Sequence, residues 1–371
     1  MGSGGRGRGR LHPLQRGRRG HGGPARRRRR RAGRPGRLTT GPGARFVHPT
    51  TTRGRTSEVG DTRLGVDVGG TFTDLVALVD GRLHTTKVPS TPDDESAGVM
   101  AAVRSVDVGE VRSFAHGMTV ATNALLERRG ARTALVTTEG FRDVIEIGRQ
   151  DRAHLYDLTR GRPPALVPRE LRFCVRERMG PDGVVEALDA GSVRRAVAAL
   201  RAADVEAVAV CLLFSFLHPG HERRVGEAVR DALPGAHVSL SSEVLPEFRE
   251  YERFSTTVAD AYLGPRLGRY LRALGRRARA AGLPVPEIMQ SSGGVIGLEA
   301  AASGPARCIL SGPAGGVVGA AHVGAASGHA DLLTFDMGGT STDVAPIHGG
   351  EVETTTESEV AGVPIKLPMV D

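Results

Sequence analysis

An eight-residue pattern, Asp-x-Gly-Gly-Thr-x-Thr-Asp, occurs twice in this chain at a constant offset of 269 residues. The first copy holds Asp67, Gly69, Gly70, Thr71, Thr73 and Asp74 within "GVDVGGTFTDLVAL". The second holds Asp336, Gly338, Gly339, Thr340, Thr342 and Asp343 within "TFDMGGTSTDVAPI". Each follows an apolar, strand-like run and precedes another. Glycines after a strand end let a phosphate approach the backbone N–H groups with no Cβ in the way. Threonine hydroxyls can donate to phosphate oxygens, and an aspartate at the strand end suits a hard cation such as Mg²⁺. One Gly-Gly-Thr loop equally suits a plain hairpin turn. Two copies matching at six positions imply a duplicated fold, with two loops gripping the β- and γ-phosphates of one nucleotide across a cleft.

The residues between the copies read as alternating layers. "RLGVDV", "TDLVALV" and "RLHTTKV" are strands, the last two joined by an Asp80-Gly81 hairpin turn. "TPDDESAGVMAAVRSV" has acids in a first helical turn, and strand, helix and strand follow to about residue 138. A less regular stretch, roughly 150–190, precedes two more helix–strand pairs. This order predicts α/β layers with a substantially parallel sheet. The helical region from Pro246 is expected to be interrupted at Gly264-Pro265. "GPAGGVVGAAHVGAAS" is expected to form a helix of small residues, with Gly315 and Gly319 spaced for close helix–helix packing. The second loop comes only about 36 residues before residue 371. A second copy of the first core needs roughly 100 more residues by ordinary domain sizes, so the chain is expected to be truncated.

Charge is distributed unevenly. Residues 1–60 hold 17 arginines, no lysine and one acid, Glu58, a net of +16, whereas the other 311 residues carry 33 basic and 40 acidic side chains. The Arg/Gly-rich segment has little to bury and is expected to be disordered. It reads either as a nucleic-acid arm or as an accidental extension in a GC-rich gene, which the 48 arginines against Lys87 and Lys366 suit. Nucleic acid is otherwise not an expected partner. No apolar segment follows the twin arginines, and "AVAVCLLFSFL" is too short to span a bilayer. Three scattered cysteines suggest neither a disulfide framework nor a metal site. A soluble, cytoplasmic setting is expected, with no membrane contact.

The paired loops resemble the phosphate motifs of the superfamily containing actin, sugar kinases and the heat-shock ATPases. "SGPAGGVVGAAHVGAA" is similar to its interdomain connecting helix, although Ser311 to Gly316 also reads as a third phosphate cradle at a helix N-terminus. Within that superfamily "RLGVDVGGTFTDLV", "HGMTVATNALLERRGARTALVTTEGFRDVIEIGRQ", "LYDL", "SSEVLPEFREYERFSTTVADAYLGP", "MQSSGG" and "GPARCILSGPAGGVVGAA" resemble the hydantoinase A/5-oxoprolinase family. Met118 and Ser292 depart from the family's usual threonine and asparagine. The resemblance implies an α/β fold of duplicated ribonuclease-H-like, actin-like ATPase lobes with the second lobe incomplete. The implied division is 1–60 extension, 61–243 N-terminal domain with the first loop, and 244–371 start of the hydantoinase A domain with the second.

It further implies ATP-dependent hydrolysis of a cyclic amide, 5-oxoproline or hydantoin, through phosphorylation of the amide oxygen, with Mg²⁺ or another divalent cation and a B-type subunit as partner. A ketone carboxylase subunit or a small-molecule kinase of the same superfamily is the alternative. Asp67 and Asp336 are assigned the metal and catalytic contacts. Gly69, Gly70, Thr71, Thr73, Gly338, Gly339, Thr340 and Thr342 are assigned the phosphates. Asp74 and Asp343 either position water or cap their loops. His116 and Asn123 read either as an acid/base and an amide-recognising group in the cleft, or as a buried imidazole beside a helix capped by Thr119 or Thr122. Arg149 and Arg152, near Tyr156, are weaker candidates for a substrate carboxylate. Glu247, Arg249, Glu250, Glu252 and Arg253 read as helix-surface ion pairing. Amide hydrogens of residues 1–60 should exchange within seconds, and slow exchange there would contradict the expected disorder.

Overall fold

The computed structural model describes residues 62–371 except 92–93, 152–153, 158 and 338–341. The expected disorder of residues 1–60 lies outside the described residues. Three strands open the fold as a meander: β1 (Thr62–Val68), β2 (Phe72–Val79) and β3 (Arg82–Pro89). Asp80 and Gly81 both take positive φ, 49° and 78°, as a two-residue hairpin turn requires. Helix α1 (Glu95–Arg104) is capped by Asp94, whose carboxylate accepts from the Ala97 N–H. Strand β4 (Val111–Met118) returns parallel to β1, and α2 (Val120–Leu126) leads to β5 (Thr133–Thr138).

The irregular stretch contributes α3 (Val144–Ile147), β6 (Arg172–Val175) and a hairpin of β7 (Arg178–Gly180) and β8 (Gly183–Glu186). Then follow α4 (Ala190–Ala202), β9 (Ala207–Cys211), α5 (Gly220–Ala232), β10 (His237–Leu240) and α6 (Ser241–Val244). Strands β10-β9-β5-β6 form a sheet, parallel throughout, as the alternation predicts.

Helix α7 (Glu250–Ala280) runs unbroken for 31 residues with Pro265 inside it, contrary to the expected interruption. An interior proline costs about 3 kcal/mol. Burying each of Leu263, Leu267, Leu271 and Leu274 returns about 2 kcal/mol, and all four are at most 1% exposed. Burial therefore outweighs the local break. The N-terminal half of α7 packs Phe254, Val258 and Ala261 into the core of the parallel sheet, and its leucines join the core under β1 and β4. Arg253, expected on the helix surface, is instead fully buried: it donates to the carbonyls of Leu212 and Glu247 and lies over the rings of Phe216 and Phe254.

After α7, β11 (Glu287–Met289) and β12 (Val295–Gly297) join the edge of the first sheet, giving the order β12-β11-β4-β1-β2-β3. The first sheet thus draws strands from both sides of position 243. Short α8 (Leu298–Ser303) precedes α9 (Ser311–Ala326), the small-residue helix. It packs on β4 and β11 on one side and, on the other, on β13 (Leu332–Met337), β14 (Thr342–His348) and β15 (Glu351–Val352). Neither of the two glycines expected to pack helix against helix does so: Gly315 faces the Met289 side chain of β11, and nothing lies within 4 Å of a Cβ built at Gly319. Two small pairs close the chain: β16 (Thr354–Thr355) with β19 (Met369–Val370), and β17 (Ser358–Val360) with β18 (Val363–Ile365).

The duplication extends to hydrogen-bond register. Asp67 pairs with Asp74 and Val68 with Thr73, and in the second copy Asp336 pairs with Asp343 and Met337 with Thr342. Burial differs between the copies. Leu64, Val66 and Val68 are 2–3% exposed, while Leu333, Phe335 and Met337, at the same offset of 269, are 66–71% exposed. Among the described residues no helix is long and apolar enough to cross a membrane. The buried setting of α7 gives a prediction of sign. Glycine to alanine in a helix normally stabilises by about 1 kcal/mol, but a Cβ at Gly264 would lie 2.3 Å from the His237 ring. Gly264→Ala should lower the unfolding free energy in a urea titration by about 1–3 kcal/mol, and adding His237→Ala should recover part of the loss.

Candidate functional site

Asp67, the penultimate residue of β1, lies at the floor of a notch made by glycines. A Cβ at Gly117 would sit 2.9 Å from Asp67 Oδ1, and one at Gly312, in the first turn of α9, 3.3 Å away. Asp74 faces Asp67 from the neighbouring strand and is paired with Lys87 at 2.8 Å. The Asp67 side chain keeps contact with solvent although protein surrounds it, as in an open cleft. Crowding by that protein pushes its carboxyl up to about 6; Asp74 and then Asp336 add to the rise, and Lys87 offsets part of it. Asp336 lies on β13, which packs on α9, and the first turn of α9 stands beside Asp67. Among the described residues no group of three or more His, Cys, Asp or Glu could hold a metal ion. Two carboxylates fit Mg²⁺, which keeps most of its ligands as water and phosphate oxygens.

The first loop is pinned from behind. Gly69 N–H donates to the Phe72 carbonyl at 3.0 Å, Ser90 Oγ donates to the Gly69 carbonyl at 2.8 Å, and Ser90 N–H donates to the Thr71 carbonyl at 2.9 Å. Thr71 and Gly70 stay exposed at the loop crest. Thr73, expected at the phosphates, is only 1% exposed and shares a hydrogen bond with Ser90 Oγ at 3.2 Å. Side chains alternate across a strand, so Phe72 and Asp74 face out where Thr73 faces in. Ser90 has no signal in the sequence; it belongs to the site only because β3 returns beside the loop. Gly338, Gly339 and Thr340 lie outside the described residues, whereas Thr342 and Asp336 are exposed.

His116 does not face the cleft. It is fully buried, with Nδ1 on the Val66 carbonyl at 3.2 Å and Nε2 on the Tyr270 hydroxyl at 2.6 Å. These partners make Nδ1 the donor and Nε2 the acceptor of the tyrosine proton. Burial drives the imidazole down to about 4, against a smaller upward effect of the Val66 carbonyl. The acid/base reading of His116 therefore has no open path to a substrate, and the buried-imidazole reading describes its surroundings. Asn123 does approach the loop: its Nδ2 lies 3.6 Å from where a Gly70 Cβ would stand and donates to Thr119 Oγ1 at 3.3 Å. Thr119 in turn donates to the Val68 carbonyl at 3.0 Å, and Thr122 accepts from Leu310 N–H at 2.9 Å. Neither hydroxyl caps α2. Both tie it to its neighbours.

Ser311 opens α9 with its hydroxyl donated to the Met118 carbonyl at 3.1 Å, so the start of this helix is fastened to β4 beside Asp67. The Met118 side chain itself is fully buried and does not line the cleft. Arg149 is held by Glu252, and Tyr156 is 95% exposed; Arg152 lies outside the described residues.

A core with one all-parallel sheet, one mixed sheet and two strand pairs of matching register beside one helix defines a mixed α/β protein with an internal repeat. Residues 63–233 match the hydantoinase/oxoprolinase N-terminal region and residues 253–371 the hydantoinase/oxoprolinase domain. The chain belongs to this family. It is 36% identical over 326 residues to the caprolactamase alpha subunit of Pseudomonas jessenii, covering 83% of this chain and 46% of that one. It is 32% identical over 359 residues to 5-oxoprolinase of Saccharomyces cerevisiae, covering 84% of this chain and 28% of the relative. Its fold matches a nucleotide-free structure of acetone carboxylase with a TM-score of 0.76 at 29% identity, over 84% of this chain and 48% of that one. The chain spans less than half the length of these relatives.

The raised Asp67 carboxyl sets a pH dependence. Its pKa in the fold exceeds the ordinary 3.8, so the native state holds more protons than the unfolded chain between about pH 4 and 6. The contribution of Asp67 to stability therefore falls as pH rises through that window; buried His116 acts in the opposite sense. In carboxyl ¹³C NMR, Asp67 should titrate near 6 and move down in Asp336→Asn, and a value unmoved by Asp336→Asn would count against proximity of the two aspartates. Mg²⁺ competes with the same proton, so its affinity should rise as pH passes about 6.

Proposed function

We propose that this chain carries the nucleotide half-sites of an ATP-dependent enzyme that opens a cyclic amide, of the 5-oxoproline or hydantoin type, after phosphorylating the amide oxygen. The observation supporting this reading most directly is the place of α9, whose first turn lies against Asp67 and which packs on β13, the strand carrying the equivalent Asp336. A lactam C–N bond is stabilised by resonance and yields slowly to water alone. Transfer of the γ-phosphoryl of ATP to the amide oxygen releases ADP and leaves an electrophilic carbon. Water adds there, the C–N bond of the adduct breaks to release the amine and leave an acyl phosphate, and a second water hydrolyses that acyl phosphate to a carboxylate and inorganic phosphate.

The chain's own residues act mainly by positioning and charge, the usual source of rate in phosphoryl transfer. Gly69, Gly70 and Thr71 present the first loop's backbone and hydroxyl to the phosphates, and Ser90 keeps that loop from rearranging. Gly338, Gly339 and Thr340 are assigned the same part in the second copy. Asp67 and Asp336 hold the divalent cation, which when bound offsets the charge on the phosphates. Asn123, beside Gly70, is placed to meet the amide of the substrate. His116 is assigned a positioning role: it fixes the β1 backbone one residue before Asp67.

Ketone activation for carboxylation uses the same phosphoryl step and is the second reading, favoured by the likeness to acetone carboxylase. The caprolactamase relative is named as an alpha subunit, which supports a partner subunit; a B-type subunit is the one proposed. Asp336→Ala should weaken Mg·ATP binding by this chain at least about tenfold with its circular dichroism unchanged. In a version of the relatives' length, assayed with the B-type subunit, the same change should cut amide-dependent phosphate release about a hundredfold or more. Release triggered by acetone and not by 5-oxoproline or N-methylhydantoin would select the carboxylase reading. Unchanged nucleotide binding in Asp336→Ala would overturn both.

A further inference from the structure

Positive charge in this chain is carried by 48 arginines and two lysines, Lys87 and Lys366. The two cations are not equivalent: a guanidinium grips a carboxylate as a rigid fork, whereas an ammonium is a compact charge on a flexible stem. Lys87 lies in β3 opposite Asp74 of β2, and Asp74 lies opposite Asp67 of β1. Residues opposite each other in paired strands share a face. The three side chains therefore form a row, on the face of the sheet where the first turn of α9 meets Asp67. The Lys87 ammonium pairs with Asp74 at 2.8 Å and stands 5.2 Å from the centre of the Phe72 ring. Phe72 closes the first loop, its carbonyl accepting from Gly69 N–H. The lysine thus stands beside the loop.

We infer that Lys87 is a catalytic residue of the first loop: its ammonium leaves Asp74 to bind the terminal phosphoryl group of the nucleotide. The inference rests on the nucleotide reading of the two loops and adds to it the side chain that sets them apart. The pair with Asp74 is loosely held. Lys87 and Asp74 keep 57% and 45% of their side-chain surface in solvent, and ion pairs that open are weak. The backbone beneath is fixed, because β3 pairs with β2 from Arg82 to Pro89. Rotation of the long stem, with Phe72 as its floor, brings the ammonium to an anion at the loop crest.

The second copy shares the aspartates and lacks the lysine. At the offset of 269 the residue corresponding to Lys87 is Thr356, and neither lysine nor arginine occurs between Arg307 and Lys366, the segment that holds α9, β13 and β14. Two loops of matching strand register and matching aspartates cannot by themselves tell a terminal phosphate from an inner one. The terminal group carries more charge and more free oxygens, so it belongs on the loop that has a cation of its own. As a point charge, Lys87 suits a phosphoryl group in transfer. It gives up no proton. It donates hydrogen bonds and offsets charge while the phosphoryl passes to the amide oxygen.

The test is calorimetric binding of Mg·ATP and Mg·ADP to the full chain. Lys87→Gln should weaken Mg·ATP at least about tenfold and Mg·ADP by no more than about threefold, and the retained Mg·ADP binding shows that the variant is folded. On an Asp74→Asn background the same substitution should again weaken Mg·ATP at least about fivefold, because the phosphoryl contact does not pass through Asp74. A lysine that served only as the partner of Asp74 would have no effect there. The wild-type protein also reports directly, since ε-¹³C-lysine labelling gives signals from two residues alone. Mg·ATP should move the Lys87 signal and leave in place that of Lys366, which is held by Glu247 and Phe248. Equal losses for Mg·ATP and Mg·ADP, an effect that vanishes on the Asp74→Asn background, or a Lys87 signal indifferent to Mg·ATP would each overturn the inference. Failure of the nucleotide reading shows separately, as Mg·ATP binding indifferent to Asp336→Ala, and absence of saturable Mg·ATP binding would overturn both.

Discussion

A buried hydrogen-bonded relay holds the first loop in register with the rest of the fold. It runs from the Tyr270 hydroxyl on α7 through the His116 ring on β4 to the Val66 carbonyl on β1. Asp67 is the next residue along β1. A tyrosine, an imidazole and a carbonyl in an apolar core cost free energy unless all are satisfied, and the 3.2 and 2.6 Å bonds satisfy them in only one alignment of helix and strands. The depressed pKa of His116 follows from the same burial and keeps the ring neutral, as an acceptor from Tyr270 must be. The position of Asp67 relative to α7 is thereby set from beneath, while Ser90 sets the loop from behind.

Helix α9 gives the other half of the arrangement. Fastened to β4 through Ser311 and packed against β13–β15 on its far side, it lies between the two copies of the strand–loop–strand unit. Its glycines admit close neighbours on both sides: a Cβ at Gly312 would stand 3.3 Å from Asp67, and one at Gly324 would overlap Leu332 of β13. The copies differ in their other face. Leu64, Val66 and Val68 are covered by α7 and its neighbours, whereas Leu333, Phe335 and Met337 are open to solvent. The same sequence pattern thus occupies a core in one copy and a surface in the other. Pattern specifies which face of a strand is apolar; it does not supply the element that covers it.

The sequence by itself determined the repeated motif, the order of helices and strands from residue 62 to about 138, the two later helix–strand pairs and the parallel character of the second sheet, because periodicity and turn chemistry are local. It also determined the family, because the motifs are dense. Tertiary structure decided the rest. Pro265 stays helical because four buried leucines outweigh one lost hydrogen bond. Arg253 lies inside because Leu212 and Glu247 offer it carbonyls from distant segments. Thr73 faces the core because of strand alternation beside β3, and His116 is a strut because Tyr270, 154 residues away, reaches its ring. Each of these depends on a partner remote in the chain, and burial and hydrogen bonding are properties of that pairing, so no local window of sequence contains them.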